Sequence, residues 1–259
     1  VPEGDTVYRT ARRLNEALAG SVLTVCDIRV PQFATVDLTG QTVRNVVSRG
    51  KHLLTRVGET TIHTHLKMEG SWRVFAAGER WSRPGWQARI VLGTAEWTAV
   101  GFQLGLVEVL PTVEEDGAVG YLGPDILSPE WDAGEAMRRM LAAPEVPIGV
   151  ALIDQRNIAG LGTVYRNEVL FLRGVMPERP VGAVDDLPAM IGLAHRLILA
   201  NRDRADRVTT GNLRRGERTW VSHRERQPCR RCGTPIRKGS LGPDVLSERD
   251  TYFCPACQR

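Results

Sequence analysis

Four of the five cysteines fall in two pairs, Cys229-Arg-Arg-Cys232 and Cys254-Pro-Ala-Cys257, with twenty-one residues between them. Thiolates paired on tight knuckles, with Gly and Pro at the turns, grip one tetrahedral ion, and this spacing is that of a zinc site. No histidine or acid stands where an open coordination position would need one, so the ion's expected role is structural. Disulfides are the other chemistry open to four cysteines. The opening residues Val-Pro-Glu-Gly-Asp-Thr are polar and acidic, however, and do not read as a secretory signal. Cys26 lies alone in the apolar run Val-Leu-Thr-Val-Cys-Asp-Ile-Arg-Val and is expected in the core.

Three lysines, Lys51, Lys67 and Lys238, stand among thirty-one arginines. Where arginine supplies positive charge so freely, a lysine can be there for its amine. Charge is also unevenly placed. Residues 201–259 hold fourteen bases against seven acids, a net of +7, while residues 1–200 carry a net of −3. A basic tail of this kind is the footprint of a protein that meets a polyanion, or else the solvated face of an arginine-rich chain.

The elements that must position these residues follow from length and pattern. A chain of 259 residues, 42% hydrophobic and 25% charged, builds one large or two ordinary domains. That composition excludes a disordered chain, a collagen and a disulfide scaffold, and no apolar run reaches the length of a membrane span. Asp5 or Thr6 can cap a first helix whose apolar face is Val7, Ala11, Leu14 and Leu18, stopped at Gly20. Period-two and β-branched runs then predict strands near 22–30, 42–48, 52–57, 60–66, 71–76, 87–93, 95–100 and 104–110, an antiparallel sandwich or flattened barrel. A turn-rich stretch, 111–129, reads as a linker. Helical patterns follow at 130–142, 148–155, 163–172 and 184–200, and a β-hairpin is expected between the cysteine knuckles. The fold class is therefore α+β, with an N-terminal β-sandwich over 1–110, a helical domain over 130–222 and a four-cysteine hairpin over 223–259.

Within Ile-Asp-Gln-Arg-Asn-Ile-Ala-Gly-Leu-Gly-Thr-Val-Tyr, Gly160 and Gly162 bring the backbone close to its surroundings just before Thr163 opens a helix. Free N–H groups at such an N-terminus suit a DNA phosphate, although Gly-Leu-Gly taken alone reads first as a plain helix–helix turn.

Four features now stand in one order: Pro2-Glu3-Gly4-Asp5, Ser48-Arg49-Gly50-Lys51-His52-Leu53-Leu54, Ala159-Gly160-Leu161-Gly162, and the terminal four-cysteine finger. Over essentially its whole length the chain resembles the formamidopyrimidine-DNA glycosylase/endonuclease VIII family of DNA repair enzymes. Gly-Asp after Pro-Glu is similar to the endonuclease VIII branch in its actinobacterial form. The resemblance implies a helix-two-turn-helix DNA-binding domain and a monomer working on damaged DNA in the bacterial cytoplasm, at the nucleoid, with one structural Zn2+.

It also implies roles for particular residues. Pro2 would attack the sugar C1′ and form a Schiff base. An α-amine with a pKa of about 7.7–8.0, against about 10.4 for lysine, is partly unprotonated at neutral pH, and a secondary amine gives an iminium ion directly. Glu3 would act as general acid on the deoxyribose or the departing base, or simply face a helix N-terminus. Lys51 would contact phosphate and assist β-elimination. Arg249, five residues before Cys254, would grip the phosphates beside the lesion, aimed by the metal-bound hairpin. Lys67-Met68-Glu69 would wedge into the stack when the base is flipped out, unless Met68 fills a core gap. His65 would contact a phosphate or lie buried in its strand.

The chain also departs from the family's pattern. Thr163 stands in place of the usual Asn in the phosphate turn with Gly162, Lys67 in place of Gln, and Tyr121 in place of Arg. An Arg-Arg-Phe-Gly wedge is replaced by Phe102-Gln103-Leu104-Gly105, so void filling rests on residues 67–69. Val1, taken literally, masks the Pro2 amine. The expectation is a GUG start read as Val, with Met installed and then removed. The expected activity is a bifunctional glycosylase/AP lyase on oxidised pyrimidines. Its alternatives are an 8-oxoguanine or formamidopyrimidine enzyme, a catalytically silent binder of abasic DNA, and an unrelated zinc-ribbon module.

Overall fold

The structure, a computed structural model, describes residues 2–259; Val1, and with it the start-codon expectation, lies outside them. Contacts divide the chain into two compact units, one ending at Tyr121 and the other Leu122–Arg259.

The first unit opens with helix α1 (Gly4–Leu18) and continues through eight strands: β1 (Val25–Ile28), β2 (Val43–Arg49), β3 (His52–Val57), β4 (Thr60–His65), β5 (Ser71–Ala76), β6 (Ala88–Gly93), β7 (Trp97–Phe102) and β8 (Leu106–Pro111). They form two four-stranded antiparallel sheets, ordered β1-β6-β7-β5 and β2-β3-β4-β8. The predicted sandwich is therefore present. Its core joins the Val7, Ala11, Leu14 and Leu18 face of α1 to Leu53, Val57, Ile62, Ile90, Leu92 and Ala99. Removing these apolar faces from water is the main force holding the sheets together.

Three local expectations are corrected. Helix α1 starts earlier than predicted, with Glu3 at its N-cap; the Glu3 carbonyl accepts from Thr6 N and Val7 N, while Asp5 sits in the first turn. Cys26 is half-buried against the core rather than inside it, because β1 is an edge strand. The expected linker is not bare loop. A short helix α2 (Glu115–Val119) is tied to the sheet by Glu115, which accepts from Arg56 at 2.6 Å and from Thr61 Oγ1 at 2.5 Å.

The second unit holds α3 (Ala133–Leu141), α4 (Ile148–Ala151), α5 (Thr163–Arg173) and α6 (Leu187–Asn201), followed by the hairpin β9 (Arg237–Leu241) and β10 (Arg249–Phe253). Asp132 and Asp186 cap α3 and α6 by accepting from backbone N–H groups, which is why both helices begin three residues later than their apolar patterns imply. Gly174, at φ 71°, closes α5 in the left-handed conformation. Helix α4 stops at Ala151, short of the expected Gln155, because Asp154 starts a turn and accepts from Arg156 N. Phe171 of α5 packs with Val221, Ile236 and Tyr252, so the finger shares an apolar core with the helix.

Two buried charges in α5 fix the chain around it. The Glu168 carboxylate accepts from the backbone N–H groups of Trp220, Val221 and Ser222 and from the Thr209 hydroxyl, pinning the approach to the finger. Arg166, with no exposed surface, donates to the Asp250 carbonyl at 2.6 Å and to Thr251 Oγ1 at 2.7 Å.

Candidate active site

Pro2 and Glu3 stand at the head of α1, Pro2 half-buried and Glu3 only 1% exposed. Glu3 is extended, so the chain turns sharply from it into the helix. A carboxylate buried directly beside Pro2 is placed for proton transfer to a group held there.

Lys51 lies between two strands, outside both. With Gly50 it forms the two-residue turn between β2 and β3, where Arg49 pairs with His52. Gly50 takes φ 59° and Lys51 does not share it, the II′ pattern that calls for glycine in first position. The turn carries the amine at the tip of a stiff hairpin.

Behind that tip lies a histidine cluster that sequence reasoning missed. His52 Nδ1 lies 2.7 Å from His63 Nε2, and His63 Nδ1 lies 2.9 Å from Glu108 Oε2. Tyr121 Oη lies 3.2 Å from His52 Nε2, and the His65 ring meets His52 edge-on at 4.9 Å. An ionised carboxylate only accepts, and with both histidines in the neutral form the chain runs one way. His63 donates to Glu108, His52 donates to His63, and Tyr121 donates to His52. Burial, with the nearby positive charges of Lys51 and Lys67, lowers His52 to about 3 and His65 to about 4. Both rings are therefore neutral at physiological pH, and for His52 this is the form the directed chain requires. The signal for this cluster lay in strand register, which sets His63 opposite Glu108 and His52 opposite His65.

The β4–β5 loop holds Lys67, Met68 and Glu69 exposed, with Met68 68% exposed, while Leu66 beside them is buried. Met68 thus does not fill a core gap. Lys67 takes φ 52°, its N–H donates to His65 Nδ1, and its stem lies over Gly105, where a Cβ would come within 2.2 Å of Lys67 Cγ. Gly105 is required by that close approach. His65 is half-buried, its ring joined to both the cluster and the loop.

In the second unit, Gln155 stitches the glycine turn. Its Nε2 donates to the Ile153 and Leu161 carbonyls, and its Oε1 accepts from Gly160 N. Gly162 caps α5 and is buried; Thr163, half-buried, is the first residue of the helix. Arg249 is exposed at the start of β10, beside the Asp250 carbonyl that Arg166 holds. One helix thus fixes both the Gly162–Thr163 turn and the strand that carries Arg249. Arg166 is a second residue that sequence reasoning missed, since nothing along the chain marks which arginine is buried.

The Sγ atoms of Cys229, Cys232, Cys254 and Cys257 all lie within 4.8 Å of one another and can hold a metal ion. The Cys232–Cys254 and Cys229–Cys257 separations are 3.5 and 3.9 Å. Four sulfurs about 2.3 Å from a tetrahedral zinc lie about 3.8 Å apart, so the donors fit it in kind and in spacing. Among the described residues no helix is long and apolar enough to cross a membrane.

Family models place this architecture. The formamidopyrimidine-DNA glycosylase N-terminal domain matches residues 1–103, and that family's H2TH domain matches residues 122–196. A probable endonuclease 8 2 of Streptomyces coelicolor is 54% identical over 100% of this chain and 94% of its own. This chain belongs to the formamidopyrimidine-DNA glycosylase family. Its endonuclease VIII-like character, expected from Gly4-Asp5, is supported by two further relatives in the family. Endonuclease 8 2 of Mycobacterium tuberculosis and the DNA-(apurinic or apyrimidinic site) lyase Nei2 of Mycolicibacterium smegmatis are each 48% identical. Both alignments span this whole chain and 99–100% of the relative. Among solved structures of the family, Lactococcus lactis Fpg in complex with abasic-site DNA superposes with TM-score 0.82 at 21% identity, each chain covered in full, so the fold is shared throughout.

Proposed function

We propose that this protein excises damaged bases from DNA and cuts the strand at the resulting abasic site, as a bifunctional glycosylase/AP lyase of base excision repair. The observation that carries the reading is Pro2 beside the buried Glu3 at the head of α1, in a chain of this family.

The Pro2 nitrogen attacks C1′, the glycosidic bond breaks and the base leaves with a proton. The iminium ion between Pro2 and the opened sugar then draws electrons from the C2′–H bond. Loss of that proton expels the 3′ phosphate, and a second elimination expels the 5′ phosphate. The Pro2 nitrogen must be a free secondary amine for this, so residue 1 is absent from the working enzyme. Glu3 supplies the proton that opens the deoxyribose or accompanies the base. Lys51, at the tip of its hairpin, neutralises the phosphates that leave.

DNA is held by Arg249 on β10 and by the Gly162–Thr163 turn at the N-terminus of α5, both of which suit phosphate. Lys67, Met68 and Glu69 fill the gap left by the flipped nucleotide, with Met68 as the apolar member. Tyr121 and His65 line the same loop cluster and contact the strand there. Cys229, Cys232, Cys254 and Cys257 would hold one Zn2+, whose chemistry is to cross-link the finger. Endonuclease VIII likeness favours oxidised pyrimidines over 8-oxoguanine. The test is strand cleavage on duplexes carrying a single 5-hydroxyuracil, 8-oxoguanine or abasic site. Cutting at the abasic site and at 5-hydroxyuracil, leaving phosphate at both ends, is expected; intact strands in all three would overturn it.

A further inference from the structure

The β5–β6 loop, 77–87, is richer in arginine and tryptophan than a connection of that length needs. It lines an open cleft of about 750 Å³ over Glu79–Gly85. Trp81 serves the fold: its ring meets Phe102 edge-on at 6.2 Å and lies under Arg29 at 5.6 Å. Trp86 does not, for 72% of it is exposed. Its backbone is nevertheless held firmly. Pro84 begins the tight turn Gly85–Gln87, Arg29 donates to the Gly85 carbonyl at 2.9 Å, and Arg89 donates to the Trp86 carbonyl. The indole thus stands in water on a backbone that Arg29 and Arg89 brace, in a loop that also carries Arg80 and Arg83.

This loop is bonded to the edge that carries the Lys67-Met68-Glu69 wedge. Arg83 donates to Gln103 Oε1 at 3.2 Å and Gln103 N donates to the Gln87 carbonyl at 2.9 Å. Two residues on, Gly105 lies under the Lys67 stem and donates to the His65 carbonyl. The loop and the wedge therefore share one scaffold within the first unit.

We infer that Trp86, with the arginines of its loop, is a stacking platform for an unpaired base of the DNA beside the lesion. Exposed aromatic faces set among arginines bind single-stranded nucleic acid because every base has a π-face and every linkage a negative charge. A paired base is already stacked on its neighbours and offers the indole no free face, so the platform favours lesions in bubbles or single strands over those in intact duplex. This inference rests on the repair function proposed above.

The test measures Kd by fluorescence anisotropy for a tetrahydrofuran abasic analogue, placed in a duplex and in a five-nucleotide bubble. Wild type, Trp86→Ala and Trp86→Phe are compared, with thermal melting to show that each variant is folded. Trp86→Ala is expected to raise Kd for the bubble about tenfold more than for the duplex, with Trp86→Phe recovering most of the loss. The salt dependence of bubble binding should keep its slope, since stacking releases no counterions. Equal effects on the two DNAs, or none on either, would overturn the platform and leave the repair function standing. A wild type that binds neither DNA and cuts no abasic duplex would overturn the repair function itself, and the platform with it.

Discussion

The Tyr121 hydroxyl donates to His52 Nε2 across 3.2 Å, and this bond links an exposed side chain to a carboxylate-anchored pair of buried histidines. Glu108 sets the tautomer of His63, which sets that of His52, which leaves Nε2 as the acceptor that orients Tyr121. Removing Glu108 should therefore act through Tyr121. Tyr121→Phe and Glu108→Ala are each expected to weaken binding of an abasic-analogue duplex several-fold, in line with one neutral hydrogen bond worth about 1 kcal/mol. The double variant should bind no worse than Tyr121→Phe alone, and a fully additive loss in the double-mutant cycle would break the link.

Acid should destabilise the fold through the same cluster. His52 and His65 lie at about 3 and about 4 in the folded protein, below the usual 6.5, so the unfolded chain takes up protons first as pH falls. Their contribution is complete above pH 6.5 and is lost progressively as pH falls toward 4 and then 3. Tm should drop by several degrees between pH 7 and pH 5. His52→Asn should flatten that fall, and a profile as steep as wild type would remove His52 as its source.

Arg166 is predicted to matter for DNA binding without touching DNA. Its grip on the Asp250 carbonyl and Thr251 hydroxyl sets the start of β10, where Arg249 stands. Arg166→Met should lose about 2–3 kcal/mol of stability, the cost of stranding buried acceptors, and weaken abasic-DNA binding about as much as Arg249→Ala. Both variants should keep their metal. Tight DNA binding by folded Arg166→Met would show that Arg249 needs no such support.

Metal content offers a separate check on the finger. One zinc per chain is expected by mass spectrometry under native conditions, falling well below one in Cys232→Ser. Full zinc in that variant would remove Cys232 from the donor set.

Much of this was legible in the sequence, and the parts that were not share a cause. The eight strands, α1 and the cysteine finger followed from periodicity and spacing, which are local signals. The His52–His63–Glu108–Tyr121 chain draws its members from β3, β4, β8 and the segment after α2, so only strand register could reveal it. The break between the strands at 42–48 and 52–57 was legible, but the left-handed Gly50 that puts Lys51 at the tip of a two-residue turn was not. Nothing local marks Arg166 and Glu168 as buried, because the groups that cover them, Asp250 and residues 220–222, lie far along the chain.

The central claim is that the Pro2 nitrogen is the nucleophile. Borohydride reduction in the presence of an abasic-site oligonucleotide, followed by intact mass and peptide mapping, tests it most directly. The prediction is one covalent DNA adduct per chain, mapped to an N-terminal Pro2 with no residue before it, and lost in Pro2→Gly with the fold intact. An adduct on Lys51, or none from protein proven to begin at Pro2, would contradict the account.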